Sequence, residues 1–422
     1  MRLDQLTYVK YWVKLGSLSR RLRVTDFAPD RVDFYLDDPH AHFERLRAED
    51  PLHWYADGPF WCATRHAEVS EISRKPRAFS SAHGTQLFEV PTQLAGQSLA
   101  MDAAPSIIRM DPPEHNRHRK LVISAFTPRM VAALEPRVRA LARESVAAIR
   151  PGEPFDFVEQ VAIPLPMFVI AELLGVPSSD YTAFRRWSDA MIEAGSSGPS
   201  PESLGAAAEL FVYMIAKAAE RRGAPREDVL SKLALAELDG VRLTDAELGV
   251  FCLTLLVAGN ETTRNLISGG MRALLENRAQ WEKLCADPGL LPNAIEEMLR
   301  FVSPIQNFVR RVQHDTKLAG KNLRAGEYVA LLYGSANRDA DVFGADAERF
   351  DITRPTADRH LAFGFGEHLC LGASLARLEA RVLFEELIAR GPGFAPAGPV
   401  RRLPSTLVNG IVEMPLVFEG RA

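Results

Sequence analysis

The chain has 422 residues, 25% charged and 47% hydrophobic, with 50 Lys and Arg against 54 Asp and Glu and a formal net charge of −4. That balance fits a large globular core and carries no basic field, which speaks against a nucleic-acid binder. The cysteines at 62, 252, 285 and 370 form no CxxC pair, so a zinc ribbon is excluded and a reducing, cytoplasmic compartment is expected. No apolar run reaches the length of about 18 residues that a membrane span needs, so neither an anchor nor a signal peptide is expected.

In chain order, residues 1–29 read as an N-terminal extension. Trp12 followed by Arg20, Arg21 and Arg23 could mark a membrane-surface helix, but a solvated extension packed on the domain is expected. A helical pattern over Ala41–Asp50 leads into two apolar runs, Leu52–Tyr55 and Phe60–Thr64, parted by Asp57-Gly58-Pro59. That punctuation predicts a hairpin. Residues 80–110, rich in Ser, Gly, Pro and Ala, predict a long irregular loop, and loops of that length are usually functional.

Asp111-Pro112-Pro113-Glu114 predicts a helix start with Asp111 as N-cap and Pro112 at the first position. His115 and Arg119 then share one face of that helix, which by spacing alone is a solvated basic face. Residues 128–240 predict helices broken at Pro151-Gly152, Pro164 to Pro166, Pro177-Ser178-Ser179 and 195–201, with an apolar helix around Leu204–Ala218.

Thr244-Asp245-Ala246-Glu247 is a capping box and Asn277 a stop, so one long helix is predicted between them. Leu248–Val257 is apolar almost all round, which sends this helix through the core. Within it lies Ala258-Gly259-Asn260-Glu261-Thr262-Thr263. Ala258 and Gly259 are small enough for a flat ligand to approach the backbone. Thr262 can bond the carbonyl four residues back, and Glu261 brings an ionisable group inside, where it needs a partner or a purpose. A kinked structural helix with Glu261 in a salt bridge is the plainer alternative.

Leu291–Arg300 is a further helix carrying the i,i+3 pair Glu297 and Arg300. Phe308–Val312 and Tyr328–Tyr333 read as strands, and Asn409-Gly410 as a hairpin turn. Finally, Phe363-Gly364-x-Gly366-x-His368-x-Cys370-x-Gly372 fixes the residue at six of ten positions. Leu371, Leu375, Leu378 and Val382 recur at helical spacing, so a helix is predicted at or just after Cys370. A thiol at a helix N-terminus is biased toward the thiolate, the form that ligates metals. A buried structural cysteine at a turn is the alternative for Cys370 taken alone.

The 363–372 segment resembles the haem-binding loop of the cytochrome P-450 family, and 258–263 resembles that family's oxygen-activation motif. The resemblance implies a mainly α domain with a small β region over residues 30–422, holding haem b (iron protoporphyrin IX). It places Cys370 on the iron, with Phe363 and Gly364 in the cofactor loop and Ala258 and Gly259 against the ring. His115, Arg119, Arg310 (or Arg311) and His368 would meet the propionates. Glu261 and Thr262 would deliver protons. Glu297 and Arg300 would prop the loop with a third residue, Arg349 or alternatively Arg354.

Thr254, Val257, Ala258, Ile305, Gln306, Phe308 and Val408 would line the substrate pocket, with residues 84–106 as a wall and the 204–218 helix as a lid. The implied activity is a monooxygenase using O2 on a hydrophobic small molecule, a steroid or terpenoid first and an aromatic hydrocarbon as the generic alternative. Electrons would come from a ferredoxin and its NAD(P)H-dependent reductase, guided by Arg117 and Lys120, to a monomer. A peroxide-driven peroxygenase and a haem sensor are the rivals, and neither has a use for the Glu261–Thr262 pair.

Overall fold

The computed structural model describes residues 27–96, 106–123, 126–197, 200–226 and 228–420. The predicted extension up to residue 26 and residues 97–105 of the predicted wall lie outside them. The hairpin forms as Leu52–Tyr55 against Phe60–Ala63, with Trp54 opposite Trp61. Gly58 is required at its turn because a Cβ there would overlap the rings of Tyr55 and Phe60.

Phe60–Ala63 runs parallel to Tyr328–Leu332, which pairs antiparallel with Asn307–Val312, and Phe79–Ser80 closes the five-stranded sheet. Tyr328, Ala330 and Leu332 pack into one apolar cluster, while Val329 and Leu331 pack into another. Both faces of that strand are therefore covered, which explains five buried residues in a row.

The helices build the larger body. Pro128–Ala147, Pro164–Leu173, Tyr181–Ser197, Pro201–Gly223 and Val229–Leu235 follow the predicted breaks, with Ser200 capping the fourth. The central helix spans Asp245–Glu276, 32 residues. Its capping box is reciprocal: the Thr244 amide donates to Glu247 Oε2 at 2.8 Å and the Glu247 amide to Thr244 Oγ1 at 3.2 Å. This helix packs against the Pro164–Leu173 and Pro201–Gly223 helices, the Leu291–Val302 helix, and Ala373–Arg390, the helix that follows Cys370. Among the described residues no helix is long and apolar enough to cross a membrane.

Some local expectations are corrected. The helix after Asp111 starts at Glu114, and the Asp111 carboxylate turns away to accept from the Ser80 hydroxyl and, at 2.8 Å, the Ser81 amide. The helix after Cys370 begins at Ala373, just after the cysteine as expected, so the thiol precedes its first turn. Asn409-Gly410 makes no tight hairpin. The Asn409 side chain bonds Val302 O and Arg402 instead, and Gly410 is needed for close approach to Leu403 and Asn265. An unpredicted hairpin turns at Asp239 (φ 53°) and Gly240 (φ 78°), between Glu237–Leu238 and Val241–Arg242. The 80–110 stretch is also less irregular than expected, holding short helical turns at Leu87–Glu89, Val90–Leu94 and Ile107–Arg109.

Candidate active site

The Cys370 loop is shaped by two glycines. Gly364 (φ +71°) and Gly366 (φ +72°) turn the chain in the left-handed region, and a Cβ on Gly366 would collide with the Ser73 carbonyl. The Cys370 amide donates to Phe363 O at 2.9 Å, closing the loop on itself. Cys370 is an exposed residue, yet enough protein surrounds its thiol to push it up in pKa, while a Gly372 amide hydrogen bond and the charges of Arg119 and Arg377 pull it down.

Donors gather beside it. Arg119 Nη2 donates to Leu369 O at 2.7 Å, tying the Glu114–Ile123 helix to the residue before the cysteine. The His115 and His368 rings lie 4.2 Å apart, and Ser81 Oγ is 3.2 Å from His368 Nε2. Burial, with Arg310, His115 and Arg119 adding, pushes His368 down to about 2, so its imidazole is neutral. Arg310 is buried and donates to Val309 O at 2.8 Å. Among the described residues no carboxylate forms an ion pair with it. A buried guanidinium without an anion is costly, and a ligand bearing two carboxylates satisfies it. Among the described residues no group of three His, Cys, Asp or Glu could hold a metal ion. One accessible thiolate suits a metal whose other ligands arrive with it, as in haem. The donor set fits that group.

In the central helix, Thr262 Oγ1 donates to Ala258 O at 2.6 Å, as predicted. Ala258 is exposed although its helix is mostly covered. Gly259 is corrected. The room a Cβ would need is filled by Ile170, so Gly259 serves helix packing rather than the cofactor face. Glu261 lies 3.6 Å from Arg264, yet its Oε1 and Arg264 Nε and Nη2 are buried without hydrogen-bond partners. Burial pushes its carboxyl up to about 7 against the pull of Arg264. Asn260 Nδ2 donates to Ser188 Oγ at 2.6 Å.

The prop is resolved in favour of Arg354. Glu297 accepts from Arg300 Nε and Nη2 at 2.7 and 2.8 Å and from Arg354 Nε at 3.3 Å, and Arg354 Nη1 reaches Asp346 at 2.8 Å. The Arg349 side chain is exposed, and only its carbonyl joins the network, accepting from Arg300 and Arg354.

Of the expected pocket positions, Ile305 and Val408 meet in a β-bridge and Gln306 N donates to Leu407 O at 2.8 Å. This brings the C-terminal segment to the site. Gln306 is buried with its amide donating to Ser405 O, and Val408 is buried in the same joint, so both hold the wall rather than present a free group. Phe308 meets Tyr333 edge-on at 6.2 Å, and Thr254 Oγ1 bonds Val250 O at 2.8 Å. Thr254, Ala258 and Thr262 recur every four residues, hence on one helix face.

Sequence reasoning missed Glu296, His360 and Arg377, which grip the cysteine loop (Arg377 Nε to Glu296 Oε1, 2.6 Å), and Arg74, which stacks 4.7 Å over Phe365. The only signal for them was position: Glu296 precedes Glu297, and His360 and Arg377 bound the loop.

Known proteins are similar to this chain in sequence and fold. The family description "Cytochrome P450" matches residues 207–390. A steroid C26-monooxygenase of Mycobacterium tuberculosis is 39% identical over 92% of this chain and 95% of its own length. Linalool 8-monooxygenase of Pseudomonas putida is 37% identical over 92% of this chain and 97% of its own. The crystal structure of CYP109E1 from Bacillus megaterium with testosterone is 37% identical, with a TM-score of 0.81, covering 90% of this chain and 99% of that one. With a thiol loop, a donor set for two carboxylates and relatives matched over nearly their whole length, this chain belongs to the cytochrome P450 family and is a haem-containing monooxygenase.

Proposed function

We propose that the chain hydroxylates or epoxidises a neutral hydrophobic substrate, a steroid or a terpenoid, with Cys370 as the thiolate ligand of haem b. The observation that carries the ligand is the exposed Cys370, with Arg119 bonded to the carbonyl before it and His115 and Arg310 close to His368 two residues away. When bound, the haem supplies activation of O2 and transfer of one oxygen atom, and the thiolate donates electron density to it. The chain's own part is to bind and orient. Arg119 and Arg310, with the two histidines as neutral donors, hold the propionates. Thr262 and Glu261 hold water and pass protons toward the oxygen side. Thr254, Val257, Ala258, Ile305 and Phe308 offer apolar contact, while Gln306 and Val408 fix the wall behind them.

The substrate class is supported by the names of the relatives, which act on steroids or linalool, and by the neighbour with testosterone bound. Electrons come from separate proteins, a ferredoxin and its reductase, in the cytoplasm. Arg117 and Lys120 are exposed on the Glu114–Ile123 helix, whose Arg119 touches the cysteine loop, where they can attract an acidic partner. Residues 30–422 act as one catalytic unit. The ligand is tested directly. Reduced protein with carbon monoxide should give the red-shifted band of thiolate-ligated haem, and Cys370→Ala should abolish it. A histidine-type band in the unaltered protein would reject the assignment.

A further inference from the structure

Two adjacent carboxylates on the Leu291–Val302 helix serve different neighbours. Glu297 goes to Arg300 and Arg354, away from the cysteine loop. Glu296 accepts from Arg377 Nε at 2.6 Å and Nη2 at 2.7 Å, a bidentate pair, and its Oε2 lies 3.1 Å from His360 Nε2. His360 Nδ1 accepts from the Ala362 amide at 3.1 Å, so the proton of a neutral His360 sits on Nε2 and is donated to Glu296. His360 and Arg377 stand at the two ends of the loop that carries Cys370.

One carboxylate therefore ties both ends. The Arg377 guanidinium also lies 4.5 Å over the Phe363 ring, and the His360 and Phe363 rings are 5.6 Å apart. Phe363 in turn accepts the Cys370 amide at 2.9 Å. Against the upward push of burial, the hydrogen bonds from Arg377 and His360 hold the Glu296 carboxyl down at about 2, so the clamp is ionised. Arg377 is one of two cations whose charge reaches Cys370, the other being Arg119.

We propose that Glu296 is a positioning residue for the haem thiolate: it closes the Cys370 loop at both ends and neutralises Arg377, whose guanidinium stacks on Phe363 of that loop, and so sets the reduction potential of the iron. This rests on the thiolate reading of Cys370. An unpaired cation next to the thiolate favours the more negative, reduced state, so removing the Glu296 charge raises the potential and removing the Arg377 charge lowers it.

The experiment is a spectroelectrochemical titration of the haem-loaded protein and its variants. Glu296→Gln should move the midpoint positive, Arg377→Gln should move it negative, and the double variant should return close to the unaltered value. Glu296→Asp keeps the charge but shortens the reach. Its midpoint should stay near the original, while its carbon monoxide complex loses the thiolate-type band several-fold faster. A purely mechanical brace would shift both single variants the same way or not at all, and either result overturns the proposal. Should Glu296→Gln fail to take up haem, Arg377→Gln alone still decides, because an unchanged or positive midpoint there is equally fatal. Failure of the thiolate reading itself is separate, since it shows in the carbon monoxide spectrum of the unaltered protein.

Discussion

Glu261 is 4% exposed, lies 3.6 Å from Arg264, its only cationic partner among the described residues, and has its carboxyl pushed up to about 7. A carboxyl at about 7 can both hold and release a proton under working conditions, which is what a proton-delivering acid requires. The same displacement has a cost in stability. The folded state binds the proton more tightly than the unfolded state, so stability falls as pH rises from the ordinary carboxyl value of 4.5 to about 7 and stays reduced above. Glu261→Gln removes that dependence. It should match the unaltered protein below the window and exceed it above, by an amount on the order of 3 kcal/mol at most. Denaturant melts at pH 4.5 and 8 check this, and a constant difference across that range counts against the buried-acid assignment. Turnover of Glu261→Gln should slow more than substrate binding weakens, and Thr262→Ala should divert electrons to hydrogen peroxide while still binding substrate. Full coupling in both would remove the pair from proton delivery.

At the scale of elements, the Leu291–Val302 helix joins the sheet side to the haem side through buried charge. Glu297 and Arg300 are both fully buried, and Arg300 also donates to Asn337 O and Ala347 O at 2.8 Å. Such a network is tolerable only when every member is satisfied, and removing one leaves an uncompensated charge. Arg354→Ala should therefore lose about 3–5 kcal/mol of stability. Arg349→Ala should stay within about 0.5 kcal/mol, because only its backbone takes part. Equal losses in the two variants, measured by urea unfolding with haem loaded, would contradict the network as drawn. Gly259 makes a related point. Its smallness admits Ile170 from the Pro164–Leu173 helix, so a residue expected to face the cofactor is there for interhelical contact.

For the whole molecule, the question is what the chamber above the haem accepts. The positions expected to line it are mostly apolar, and two of the polar ones are already engaged: Gln306 with Ser405, and Thr254 with its own helix. A ligand carrying a charge would find no counter-charge among those positions. A spectral titration of the ferric protein with steroids, terpenoids, fatty acids and alkylbenzenes should give saturable shifts with the neutral rigid compounds, steroids and terpenoids first. Shifts confined to charged, highly polar compounds would reject the substrate class.

Local chemistry was enough to read the capping box at Thr244, the hairpin around Gly58, the small-residue step with Thr262, and the glycine-flanked cysteine. In each, the residues that set the conformation are neighbours in the chain, so periodicity and turn preference decide the outcome. The identity of the haem loop came from the density of fixed residue types around Cys370. Tertiary structure alone decided which of Arg349 and Arg354 reaches Glu297. Both are basic and five positions apart, and only the path of the chain buries one and exposes the other. It also decided that Gly259 faces Ile170, that Asp111 serves Ser80 and Ser81 rather than its own helix, and that His360 and Arg377 share Glu296. These choices rest on contacts between segments as far apart in the chain as Ile170 and Gly259, whose energy depends on burial and distance that no local pattern encodes.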